Sequence, residues 1–212
     1  MIFPAKEAIE FATTELDNQT LNFTEQFLQV HQILYRDNKP VIARVDDTRE
    51  REAFFFYFTL QQQPYFYVVV IRIRNHKLTI DASYVEARVR VYLSIKSEQL
   101  NVQQINELIG LTSTKTKYLL RAKFNNWQFE PQKDIPEEIE RKLDYLLNSL
   151  ELYKDNIARL ASKTHSSINI AYEGYQSCMS GWHLTREQIK RIAELRCEID
   201  LDLYAYGNDL PQ

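Results

Sequence analysis

From Pro4 to about Asn18, Ala8, Ile9, Ala12 and Leu16 recur at helical spacing, which predicts an amphipathic helix. Pro4 stands at its start, where a missing N–H is harmless. Apolar and alternating runs then follow in series and predict strands at Phe27–Arg36, Val41–Asp46, Ala53–Leu60, Tyr65–Arg74 and Lys77–Asp81. Turn-forming residues separate them: Asp37-Asn38-Lys39-Pro40, a charged corner from Asp46 to Glu52, Gln61-Gln62-Gln63-Pro64 and Asn75-His76. One helix followed by five antiparallel strands predicts a curled sheet wrapped on a helix, an α+β module of cystatin-like type over residues 1–86. Phe54-Phe55-Phe56-Tyr57-Phe58 is apolar on both strand faces, as a central strand covered on both sides would be. The helix and the rest of the chain would supply that cover.

Beyond a boundary at Tyr84–Arg88, which has no flexible linker, the pattern changes. Val89–Ile95 alternates as a half-buried strand, and a helix follows over Asn101–Gly110. There Asn101 and Gln104 make a capping box, Leu100 and Ile105 a staple, and Gly110 a terminator. A second helix is expected from a capping box at Asp134–Glu137. Its stripe of Ile139, Leu143, Leu146, Leu147 and Leu150 continues or kinks into Ile157, Leu160 and Ala161. A third, at Leu184-Thr185-Arg186-Glu187-Gln188-Ile189, repeats the first one's start. It lies between strands at Ile168–Tyr172 and Glu198–Tyr206. Two strand–helix–strand halves predict a ferredoxin-like α/β sandwich over residues 87–212, with the 134–161 helical segment inserted between them.

Composition narrows the function classes. The 212 residues include four glycines, Gly110, Gly174, Gly181 and Gly207, and none precedes residue 110. Phosphate-cradling loops, dinucleotide fingerprints and nucleophile elbows need clustered glycines, so these are disfavoured. No apolar run approaches the roughly 18 residues that span a bilayer, and no signal-peptide pattern opens the chain. Two cysteines fit a reducing compartment, and the chain reads as cytoplasmic. The formal net charge of −3 conceals a regional pattern: residues 88–123 hold seven basic and two acidic side chains, whereas residues 192–212 hold one and five.

The search for chemistry leaves little. His31, His76, His165 and His183 have no ligand spacing among them, so neither a metal nor another cofactor is expected. Cys178 and His183 share one stretch, but a thiol–imidazole pair also needs hydrogen-bond reach and an orienting third group. Asp200 and Asp202 project from one strand face about 7 Å apart; a shared cation or a solvated polar face would each account for them. The stretch 115–124 interleaves Lys115, Lys117, Arg121 and Lys123 with aromatics, a possible anion or nucleic-acid contact or a solvated hairpin edge. The base-stacking strand signature of RNA-binding sandwiches is absent. No enzymatic activity is expected.

The second half resembles a bacterial domain-of-unknown-function family, DUF4279. The resemblance is carried by Val91–Leu100, Ile105–Leu111, Trp127, Gly181–Thr185 and Leu201–Tyr204, and covers about residues 89–206. It implies fold more than chemistry and transfers no catalytic residue. In size and surface such proteins are similar to immunity proteins of bacterial toxin systems. The resemblance therefore implies a cytoplasmic interaction protein that neutralises a cognate toxin. Glu198, Asp200, Asp202, Tyr204 and Tyr206 form the expected partner-binding face, suited to a basic toxin domain. The alternative is a nucleic-acid or nucleotide-binding regulator using residues 115–124. No membrane partner is expected.

Overall fold

Residues 5–48, 52–119 and 123–211 are described by a computed structural model. Helix α1 (Ala5–Asn18) forms as its periodicity predicts, with Ala8, Ala12 and Leu16 buried. The next segment departs from expectation. Phe27 lies in a second helix, α2 (Asn22–Val30), rather than in a strand. Phe23, Phe27 and His31 are spaced by four, so their rings fall on one helical face. Phe23 stacks on Phe27 at 5.5 Å, and Phe27 on Tyr67 at 5.2 Å. Glu15 fixes the helix start by accepting the backbone N–H groups of Thr20 (3.1 Å) and Leu21 (3.0 Å).

A two-residue hairpin, β1 (Tyr35–Arg36) and β2 (Lys39–Pro40), turns on Asp37 and Asn38, both at positive φ. The main sheet of this half has four strands, not five. It is the antiparallel meander β3 (Ile42–Thr48), β4 (Ala53–Thr59), β5 (Phe66–Arg74) and β6 (Lys77–Glu86). Part of the charged corner between β3 and β4, residues 49–51, lies outside the described residues. Asn75 and His76, again both at positive φ, close the tight β5–β6 turn. Phe54, Phe56 and Phe58 are buried in a core shared with α1 and α2, whereas Phe55 and Tyr57 are half-buried on the opposite face.

After Ala87, β7 (Arg88–Ser97) enters the centre of a five-stranded sheet ordered β11-β10-β7-β9-β8. The remaining elements are α3 (Val102–Ile109), β8 (Lys115–Leu119), β9 (Phe124–Phe129), α4 (Ile139–Leu150), α5 (Lys154–Ala161), β10 (His165–Tyr175), α6 (Arg186–Glu194) and β11 (Glu198–Tyr206). All neighbours are antiparallel except β10 and β11, which α6 connects in parallel. Val89, Val91, Leu93 and Ile95 of β7 join Trp127 and Ile168, Ile170 and Tyr172 of β10 in a core covered by the helices.

Both Leu-x-x-x-Gln-Ile helix starts carry complete capping boxes, Asn101 with Gln104 and Thr185 with Gln188. Gly110 ends α3 at φ 85°, the left-handed conformation that glycine adopts without strain. The capping box expected at Asp134–Glu137 does not form. Helix α4 begins five residues later, because Asp134 pairs with Arg88 (2.9 Å) and Glu137 with Arg44 (2.8 Å). The 134–161 segment, expected as an insertion between the two halves, contributes Leu143, Leu146, Leu147, Leu150 and Ile157 to the core beneath the sheet.

The two cores meet at Tyr175. This β10 residue is fully buried among Phe27, His31 and Tyr65 of the first half, and its hydroxyl donates to Asn208 O (2.7 Å). Arg44 makes a second tie, donating from β3 to the Pro136 carbonyl and to Glu137. His31, buried against Tyr175, lies 3.2 Å from Phe27 O through Nδ1 and 2.9 Å from the Tyr65 hydroxyl through Nε2. The Phe27 carbonyl can only accept, so Nδ1 carries a proton, and in the neutral ring Nε2 accepts from the Tyr65 hydroxyl. Burial lowers the imidazole pKa below its ordinary value, against the raising effect of the Phe27 carbonyl. A depressed histidine leaves stability complete above the unfolded-state pKa of about 6.5 and removes it as pH falls toward the folded value. Urea melts between pH 7 and pH 5 should therefore lose stability on acidification, with a shallower loss in His31→Gln. An unchanged slope in that variant would show that His31 does not couple the junction to pH.

Candidate interaction surface

Helices cover one face of the five-stranded sheet, and the other carries a polar surface. Side chains directly opposite in a ladder share a face, so cross-strand register reads out this surface row by row. One row runs Lys115, Gln128, Ser94, Ser167 and Glu198; a second runs Lys117, Asn126, Lys96 and His165. A third places Tyr92 beside Asn169 and Asp200, and a fourth Arg90 beside Ala171 and Asp202. The last two rows carry Arg88, Glu173 and Tyr204, then Tyr175 and Tyr206.

Every residue of the expected partner-binding set thus lies on one face of one strand, β11. Glu198, Asp200, Tyr204 and Tyr206 are exposed and Asp202 half-exposed. The rings of Tyr204 and Tyr206 lie 6.2 Å apart. Tyr92 records the local field: burial, then Asp202, Glu130 and Asp200, raise its phenol pKa against the lowering effect of Arg90. The centre of the face is internally neutralised. Arg90 makes a bidentate pair with Glu130 (3.0 and 2.7 Å), Ser94 bonds Asn126 (3.0 Å), and Asn169 bonds Ser167 (2.9 Å).

Lys115 and Lys117, from the alternative basic set, are exposed on this same face at its opposite edge. Four strand spacings, roughly 19 Å, separate them from β11. Lys123 sits in the β8–β9 turn at φ 53°, and Arg121 lies outside the described residues. The face therefore runs from acidic at β11 through a paired centre to basic at β8.

Two features escaped sequence reasoning. The first is the other side of β11, where Ile199 (39% exposed), Leu201 (51%) and Leu203 (59%) lie uncovered. Their alternation with aspartates signals a strand with one buried face. However, α6 packs on α4 through Gln188 and Ile192 and leaves that face open. The second is a cleft of about 190 Å³ between the outer face of β4–β6 and the start of α4. Tyr57, Tyr84, Glu86, Glu137, Glu138 and Arg141 line it. Contributions some fifty residues apart gave no local signal.

Burial, then the nearby Glu138 and Glu137, push the Glu86 carboxyl up to about 7. A carboxyl raised in the folded state costs nothing below its unfolded pKa of 4.5 and progressively more as pH rises through the folded value. Glu86→Gln should therefore stabilise the protein by about 1–3 kcal/mol at pH 8, with the gain vanishing near pH 4.5. Equal stabilisation at both pH values would assign the effect to packing instead.

Cys178 and Cys197 are free thiols, and Cys178 is exposed. No hydrogen bond joins Cys178 to His183; the His183 backbone N–H instead donates to Glu140 (3.1 Å). Burial, reinforced by Glu198, raises the Cys197 thiol to about 12. Among the described residues no group of three or more His, Cys, Asp or Glu side chains converges to hold a metal ion. No helix among them is long and apolar enough to cross a membrane.

Fold and surface together define an α+β protein with a five-stranded sheet covered by helices on one face; the other, charge-graded face is buried along its centre and exposed at its β11 and β8 edges. The model of a domain of unknown function, DUF4279, matches residues 87–206, more than half of the chain, and the chain belongs to that family. The matched segment begins at Ala87, between β6 and β7, and ends with β11. Neither a curated protein nor a solved structure matches the chain.

Proposed function

We propose that this chain is a non-enzymatic bacterial interaction protein, an immunity protein that binds a basic toxin domain and masks its active site. The observation that carries the reading is the exposed acidic and tyrosine-bearing face of β11. Nucleases and other enzymes acting on polyanions present cationic substrate channels. A carboxylate row on a rigid strand accelerates encounter with such a channel and complements it once docked. Tyr204 and Tyr206 supply large, rigid anchors beside the carboxylates. The support for β11 is stiff: it ladders to β10 along its whole length, and β10 ends in the buried Tyr175 junction.

Within this reading the chain comprises two domains, residues 1–86 and 87–212, each with its own buried cluster. The antiparallel order β10-β7-β9-β8, with crossovers through α3 and α4, supports a ferredoxin-like second domain to which α6 and β11 add an edge strand. The helix-backed meander β3–β6 supports a cystatin-like first domain. The experiment is co-expression with the protein encoded beside this chain. Restored growth and a stable 1:1 complex are expected when that neighbour is toxic alone. Full toxicity despite soluble expression of both chains would overturn the reading.

A further inference from the structure

We propose that β11 pairs antiparallel with β11 of a second copy of this chain, about a two-fold axis at Leu203, to form a continuous ten-stranded sheet. The pairing uses the backbone edge and the odd-numbered side chains, and the even-numbered ones select its register. It does not rest on the toxin reading, which takes those even-numbered residues as a partner surface.

Three observations carry it. First, β11 is a terminal strand of nine residues with an unbroken register against β10. The Gln176 N–H donates to Tyr206 O, so even-numbered residues turn their backbone groups toward β10. Ile199, Leu201, Leu203 and Ala205 consequently present theirs outward. Natural edges are blunted by proline, charged side chains or a bulge; β11 has neither proline nor bulge, and its three carboxylates stand on even-numbered residues, whose backbone groups already face β10. Second, the same odd-numbered residues carry the exposed apolar stripe of Ile199, Leu201 and Leu203. One strand thus offers unpaired donors, unpaired acceptors and uncovered apolar area together.

Third, the charge pattern selects a register in which the strand matches itself. Like charges directly opposite destabilise an antiparallel pair. An axis at Asp202 would set that carboxylate against its own copy, and an axis at Leu201 would set Asp200 against Asp202. With the axis at Leu203, Asp202 faces Tyr204 of the second copy and Asp200 faces Tyr206, so each carboxylate meets a phenol. Leu201 then faces Ala205, and Leu203 meets itself. Outward-pointing odd residues oppose odd residues, as the hydrogen-bonded pairs of an antiparallel ladder require. Moving the axis to Tyr204 shortens the ladder and separates the leucines. An isologous interface needs such self-complementarity. The acidic face stays open and is doubled across the axis.

Sedimentation of the full chain at micromolar concentration should give about twice the 25.2 kDa chain mass. Leu203→Pro removes only an outward N–H and should sediment as a monomer with unchanged circular dichroism. Leu203→Arg, which opposes two guanidinium groups at the axis, should do the same without a backbone change. The register has its own test. Tyr204→Lys should tighten the dimer by about 3- to 10-fold and Tyr204→Asp should weaken it by a similar factor, through two symmetric pairs with Asp202. A monomer at 100 µM, or a dimer indifferent to both Leu203 variants, would overturn the pairing. A monomer that acquires order along β11 only with a foreign strand would assign the edge to that partner instead. A dimer unmoved by the Tyr204 charge series would refute the register.

Discussion

Gly207→Ala is expected to destabilise the protein by about 2–4 kcal/mol, although the residue lies only one position beyond the last strand. Gly207 holds φ 96°, where an L side chain is strained, and an added Cβ would lie 2.6 Å from the Tyr175 ring. The same Cβ would collide with the Tyr65 hydroxyl. Neither tyrosine has room to withdraw. Both are fully buried, Tyr65 is bonded to His31 (2.9 Å), and Tyr175 packs edge-on against Phe27 and His31. The cost therefore combines backbone strain with overpacking at the point where the two cores touch. Gly181→Ala is the control: no atom lies within 4 Å of its added Cβ. It should change stability by less than about 0.5 kcal/mol. Equal urea midpoints for the two variants would remove Gly207 and Tyr175 from their role as the junction's contact.

Charge reversal on β11 has the largest expected effect on binding. Asp200→Lys with Asp202→Lys should slow association with the proposed toxin partner by about 10- to 100-fold and flatten its salt dependence. Asp200 is exposed and Asp202 half-exposed, and among the described residues neither carboxylate makes a hydrogen bond or ion pair, so the variant should melt like the parent. Glu98→Lys with Glu107→Lys changes the net charge by the same amount at exposed sites near α3. That pair should leave association nearly unchanged. Stopped-flow mixing at two salt concentrations separates local complementarity from net charge. Equal slowing by both pairs would reduce the effect to overall charge.

Much of the architecture was legible because its signals are local. The Asn101/Gln104 and Thr185/Gln188 caps, the Asn75-His76 turn and the β7, β10 and β11 patterns each depend on residues within a few positions. The failures have long-range causes. Phe27 reads as a strand residue until its partner Phe23 and the stacked Tyr67 are considered, and only the fold supplies Tyr67. Asp134 and Glu137 resemble a cap, but Arg88 and Arg44 claim both carboxylates from distant strands. The acidic face of β11 was visible as alternation. That its apolar face is also bare was not visible, because it depends on where α6 docks. The shared sheet face of Lys115, Lys117 and the β11 carboxylates was equally hidden, since strand order follows from crossovers and not from composition.

Carboxyl footprinting of the chain alone and in complex with the proposed toxin partner tests the partner surface most directly. Carbodiimide-driven labelling of Glu198, Asp200 and Asp202 should fall sharply in the complex, while labelling of Glu98 and Glu107 should stay unchanged. Unaltered labelling along β11, with protection confined to Lys115 and Lys117 under amine-directed reagents, would contradict the account and move the binding surface to the basic edge.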